Sequence, residues 1–143
     1  MLDRTIIETH LDNMEAALAN LRRYQHLTLE EFTKDLSYTW IAAKGLEILI
    51  QNLLDIGAHL LASEIKNDWD DYGEIIFKLG LHGIIPKPYA EKIQGMAGLR
   101  NILVHEYLRI DLNKLHEFMQ NQLADFTDFM AYIQDYLDKK AEL

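Results

Sequence analysis

From about Asp35 to Lys66 the chain carries apolar residues at helical spacing, from Leu36 and Trp40 through Leu49, Leu53, Leu60 and Ile65, and they spread over more than one face. A helix apolar on several faces is buried on several faces, so the remainder of the chain has to surround this one. That remainder reads as helix too. There are 2 prolines and 7 glycines in 143 residues, and no Val- or Thr-rich alternating runs of the kind strands need. Asp3 is placed to cap a first helix to about Tyr24, whose Ile6, Ile7, Leu11, Met14, Leu18 and Leu21 recur at three and four. Thr28-Leu29-Glu30-Glu31 and Asp71-Tyr72-Gly73-Glu74 are capping-box patterns that open short helices, the second stopping near Gly80. HGIIPKP is a loop, and Pro88 suits the first turn of a helix running to about Leu108. Asp111 caps a last helix with an apolar stripe from Leu115 and Phe118 to Ile133 and Leu137. The expectation is all-α: an antiparallel bundle of four main helices plus one or two short ones, forming a single domain over residues 1–143.

Composition narrows the partners. The formal net charge is −9, which argues against a general nucleic-acid coat, since non-specific affinity comes from many Lys and Arg contacts to phosphates. It leaves room for an enzyme that binds RNA locally and for a protein partner with a basic surface. With no cysteine, disulfides and Cys-ligated metal sites are excluded. The opening MLDRTIIETHLD is too polar for a signal peptide and no apolar run reaches the length of a membrane span, so a cytoplasmic protein with no membrane association is expected.

The chemically distinctive stretch is GLRNILVHEYLRID, Gly98 to Asp111. On a helix advancing about 100° per residue, Ile93, Met96, Ala97, Leu103, Val104 and Tyr107 fall within roughly 60° of Arg100. A guanidinium in the middle of an apolar stripe needs a partner, because desolvating a charge is expensive. Asn101 and His105, four apart, share a neighbouring face with Gln94 above them. Leu99 and Ile102 lie on the far side, so this helix too is expected to be buried nearly all round, with Gly95 and Gly98 letting another backbone come close. Taken alone, the spacing is also met by an arginine that snorkels or pairs with a carboxylate and by a histidine that is merely hydrogen-bonded. Through the long helix runs a polar line of Gln51, Asp55 and His59. Asp55 and His59 are close enough to touch. They read as a buried pair fixing helix packing before they read as a layer behind the active face or half of a metal site, for which there are too few ligands.

Arg100, four residues, His105, one residue and Tyr107 together resemble the R-x4-H-x-Y signature of the HEPN superfamily, in particular the HepT toxins. Asp3-Arg4 with the helix after it, HLTLEEF (His26–Phe32), LLDIGAHLLAS (Leu53–Ser63) and the closing Leu- and Phe-rich helix resemble HepT in the same order, so the likeness covers nearly the whole chain. The resemblance implies a HEPN-type helical bundle that forms homodimers, with the R-x4-H helices of two subunits meeting at a cleft. It implies a metal-independent endoribonuclease without cofactor. The ribose 2′-OH attacks the phosphate to leave a 2′,3′-cyclic phosphate and a 5′-OH, Arg100 holds phosphate oxygens, His105 transfers protons, and Asn101 orients the phosphate or the imidazole. It further implies that the chain is the toxin of a toxin–antitoxin pair, silenced when an MntA-like minimal nucleotidyltransferase adds AMP to Tyr107. The alternative is a non-catalytic helical dimer serving as the nucleotide- or partner-binding subunit of a nucleotidyltransferase.

Overall fold

The computed structural model describes residues 2–65, 71–106 and 109–141. In chain order the helices are α1 (Arg4–Arg22), α2 (Leu29–Lys34), α3 (Leu36–Leu60), α4 (Tyr72–Leu81), α5 (Lys87–Ile93), α6 (Met96–His105), α7 (Leu112–Asn121) and α8 (Leu123–Ala141). A π-helical turn, Leu61–Ile65, prolongs α3. No strand occurs among the described residues, and the all-α expectation holds.

The starts of these helices are written in the sequence. Asp3 accepts from the backbone N–H of Thr5 and Ile6, and Asp35 from that of Ser37. Thr28 and Glu31 form the complete reciprocal capping box. Asp71 accepts from Glu74 N–H, and Pro88 sits in the first turn of α5.

At the centre is α3. Leu46, Leu49, Ile50, Leu53, Leu54, Ile56 and Leu60 are all fully buried, each such side chain contributing about 1.5–3 kcal/mol relative to exposure. By length and composition the Leu36–Ile65 segment is apolar enough to cross a membrane, but here it is the helix around which the bundle packs. α1 runs antiparallel to it: Asp3 N–H donates to His59 near the end of α3, and His10 is bonded to Asn52, whose amide also reaches the Ile48 carbonyl. α8 returns antiparallel to α1, tied at one end by Arg4 to Asp138 and at the other by Arg22 to Thr127.

Two helices expected to be continuous are broken. The Pro88–Leu108 span divides at Gln94 and Gly95, so that α5 lies on α4 while α6 lies on α3. Gln94 spends its side-chain N–H₂ on the Gly73 carbonyl, 2.7 Å away, and Gly95 is a poor helix former. The closing helix divides at Gln122, which leaves the helical region at φ −120° and ψ 3°. α7 then covers α2 and α3, and α8 covers α1. The apolar stripe is continuous across the break, from Leu115 and Met119 to Phe126, Phe129 and Ile133, all buried. α5 is braced to α8 by the buried carboxylate of Asp125. It takes an ion pair from Lys92 at 2.9 Å, and this hydrogen bond raises the ammonium above its ordinary value. The Tyr89 hydroxyl donates to the Asp125 carbonyl, and burial, with the nearby Asp125 charge, pushes the phenol well up.

The closest packing of α4 on α5 depends on Gly80. A Cβ there would lie 2.6 Å from the Ala90 Cβ, and neither atom can rotate away because both are fixed to backbone. Gly80→Ala is expected to destabilise the fold by about 1–3 kcal/mol, read from the midpoint of urea unfolding. An unchanged midpoint would mean that the two helices are free to slide apart.

Candidate active site

α6 is pinned by Met96, Ala97 and Leu103, which are buried against the bundle. Its other side is open: Asn101 and His105 are exposed, and Ile102 and Val104 are 39% and 37% exposed. Within one chain the helix is therefore buried on one face and not all round, because its neighbours, chiefly α3 with α4 beside it, cover only one side. Gly95 and Gly98 also differ from expectation. A Cβ at either would meet nothing within 4 Å, so no other backbone among the described residues presses on them. They line an open groove of about 870 Å³ together with Asp71, Tyr72, Gly73, Gln94, Ala97 and Asn101.

Arg100 sits half-buried beside this groove, and three contacts hold its guanidinium. Nε donates to Gln51 Oε1 at 2.9 Å and Nη1 donates to Asn101 Oδ1 at 3.3 Å. The guanidinium carbon lies 4.7 Å from the centroid of the Tyr72 ring, a cation–π arrangement. All three partners are neutral, so none of them cancels the charge. The remaining N–H groups, on Nη2 and the second on Nη1, have no partner among the described residues and are left for an anion, and a guanidinium fork matches the oxygens of phosphate.

The polar line on α3 is arranged differently from its reading as an Asp55–His59 pair. Asp55 Oδ1 accepts from Gln51 Nε2 at 2.9 Å, while His59 Nε2 accepts from the Asp3 backbone N–H at the start of α1. Both Gln51–Asp55 and Asp55–His59 are four apart, and the carboxylate goes to the partner that is itself fixed, through Arg100, to the next helix. The polar residues thus do two jobs, one behind Arg100 and one at the cap of α1. No cluster of three or more His, Cys, Asp or Glu able to hold a metal occurs among the described residues.

His105 is the last residue of α6, five positions and about 7.5 Å of rise from Arg100. Beyond it Glu106 leaves the helix at φ −136°. Tyr107 and Leu108 lie outside the described residues. Sequence reasoning missed the contact of Tyr72 with Arg100. Tyr72 figured there only inside a capping box, and no local pattern links it to a residue 28 positions on.

The fold and site define a class: an antiparallel helical bundle whose polar residues project from one short helix laid against the core helix. The family model for HepT-like ribonucleases matches residues 14–133, and the chain belongs to that family. Among curated relatives it is 27% identical over 136 residues to the tRNA nuclease HepT of Aphanizomenon flos-aquae, covering 95% of this chain and 92% of that protein. It is 24% identical over 104 residues to the mRNA nuclease HepT of Shewanella oneidensis, covering 73% and 78% of the two chains. In fold it is similar to the tri-AMPylated HEPN toxin of Shewanella oneidensis in complex with its MNT antitoxin, with a TM-score of 0.83 at 21% identity over 94% of this chain and 99% of that one.

If the Tyr72 ring holds the guanidinium face, Tyr72→Leu is expected to cost about 0.5–2 kcal/mol in urea unfolding. Tyr72→Phe, which keeps the ring, should cost clearly less. Equal losses for the two variants would show that the stacking contributes nothing.

Proposed function

We propose that this chain is the ribonuclease toxin of a toxin–antitoxin pair, cutting RNA without a metal ion. The observation that carries the reading is that Arg100, Asn101 and His105 project from one ten-residue helix, with the guanidinium held on three sides and its outer N–H groups without a partner among the described residues. Membership of the HepT-like ribonuclease family, and the nearly full length shared with the tRNA nuclease HepT, support it.

RNA carries its own nucleophile, so the protein has to move protons and stabilise charge. The 2′-oxygen attacks phosphorus as its proton is taken, the bond from phosphorus to the 5′-oxygen breaks, and that oxygen receives a proton. The products are a 2′,3′-cyclic phosphate and a 5′-OH. His105 suits either transfer, because an imidazole exchanges protons near neutral pH. Arg100 stays cationic and binds the non-bridging oxygens as charge builds on them. Asn101 orients the phosphate or the imidazole. One such histidine per chain makes a homodimer the natural unit, each subunit supplying one. The exposed Ile102 and Val104 on α6, with Leu36 and Trp40 on α3, give an apolar surface for that contact. A cytoplasmic toxin of this kind needs restraint, and the reading includes an MntA-like nucleotidyltransferase that adds AMP to Tyr107. The added AMP would bring negative charge with its phosphate.

Wild-type protein, purified free of any antitoxin and given total RNA in excess EDTA, is expected to produce fragments ending in 2′,3′-cyclic phosphate. His105→Ala should remain folded and lose about 10²–10⁴ in rate. Cleavage by His105→Ala at the wild-type rate would remove the catalytic assignment. A wild-type protein that binds nucleotide but cuts no RNA would favour the non-catalytic binding subunit.

Tyr107→Phe keeps the ring and removes the hydroxyl. This variant is expected to cut RNA and to gain no mass when incubated with an MntA-like enzyme and ATP, whereas wild type gains AMP. Intact-protein mass spectrometry with peptide mapping decides it, and AMP found at another residue would sink Tyr107 as the switch.

A further inference from the structure

Gln51 lies at the middle of α3, facing α6, and its amide has two chemically different ends. One end accepts and the other only donates. The Arg100 Nε–H can only donate, and the Asp55 carboxylate can only accept. The chain Arg100 Nε to Gln51 Oε1 at 2.9 Å, then Gln51 Nε2 to Asp55 Oδ1 at 2.9 Å, therefore has one direction that satisfies every member. If the amide turned over, N–H would face N–H at one end and oxygen would face oxygen at the other. Asp55 thus fixes which end of Gln51 reaches Arg100 without touching Arg100 itself.

We propose that Gln51 and Asp55 are positioning residues that set the rotation of the Arg100 guanidinium for phosphate binding. The juxtaposition assigns Nε to the protein and turns the two terminal nitrogens outward. A guanidinium is planar, so fixing Nε from one side and the face through Tyr72 leaves only its outer edge available. The alternative rotation would spend a terminal N–H on Gln51 and turn Nε, which carries one N–H where a terminal nitrogen carries two, toward the phosphate side. The relay also sets the charge balance of the site. Arg100 is held by a neutral amide, with the carboxylate one residue removed, so its charge is anchored without being cancelled by direct pairing. The inference rests on the ribonuclease reading for its consequence in catalysis, while the geometry of the relay is independent of it.

Two measurements on the full chain test it. The first is the solvent exchange of the Arg100 Nε–H group by ¹⁵N-resolved NMR, the resonance being assigned by its loss in Arg100→Lys. It is expected to exchange slowly in wild type and about tenfold or more faster in Gln51→Met, which keeps the volume and loses the hydrogen bond. Asp55→Asn, which lets the amide take either orientation, should be intermediate. The second is kcat/KM for RNA cleavage. It should fall about 10-fold to 100-fold in Gln51→Met, the range for a lost hydrogen bond to a charged group. The same substitution should cost less than about twofold in an Arg100→Lys background, because lysine has no Nε–H to hold. A merely structural glutamine would lower both backgrounds alike. Unchanged exchange in Gln51→Met, or a loss of kcat/KM that persists in Arg100→Lys, overturns the proposal. Where Arg100→Lys leaves no measurable cleavage, the exchange measurement decides. Wild-type protein that cuts no RNA while the exchange rates respond as stated would overturn the ribonuclease reading and leave the relay standing.

Discussion

The structure depends on the burial of α3. Its apolar residues point in every direction, and no single neighbour can cover them, so α1, α2, α4, α6 and α7 are each drawn onto it. Most of this is undirected hydrophobic burial. Direction comes from a few polar residues among the apolar ones. Asn52 fixes α1 through His10 and Asn13, His59 caps α1 at Asp3, and Gln51 takes hold of Arg100 on α6. One helix therefore serves as both core and ruler, and the register of its neighbours is read from a handful of hydrogen bonds.

The site turns on how a positive charge is kept usable in an acidic protein. A chain with net charge −9 has many carboxylates that could capture an arginine. The surface arginine Arg4 is so captured, by Glu8 and Asp138, which hold its charge more firmly while it depresses the Asp138 carboxyl below its ordinary value. Arg100 instead meets amides and a phenol ring. The nearest element of negative charge in its network, Asp55, is separated from it by Gln51. Such an arrangement suits transient binding of a polyanion at one point and agrees with a net charge of −9, which disfavours a general nucleic-acid coat.

The two broken helices show what helical periodicity leaves out. An apolar stripe records which face is inward, and it does so equally well through a bend. Between α7 and α8 the stripe from Leu115 to Leu137 passes over Gln122 without interruption. Between α5 and α6 the break has a structural consequence. It lets α5 follow α4 and α8, braced by Lys92 and Tyr89 on Asp125, while α6 turns to lay Arg100 beside Gln51. A straight helix could not have satisfied both sets of contacts.

Much of this protein was determined by the sequence alone. The scarcity of proline and glycine, the spacing of apolar residues and the caps at Asp3, Thr28, Asp35 and Asp71 are local properties, and local rules decide helix content and helix starts. The grouping of Arg100, Asn101 and His105 was legible for the same reason, since all three belong to a single helix. What the tertiary structure decided is everything that joins residues far apart in the chain. Asp55 and His59 are neighbours on paper, yet each is claimed by a different partner, Gln51 for one and the start of α1 for the other. Tyr72 and Gln51 come to Arg100 from two other helices, and no spacing rule reaches across 28 or 49 residues. Within one chain α6, read as buried nearly all round, is open on one side, because burial depends on how many neighbours arrive and not on how apolar a residue is.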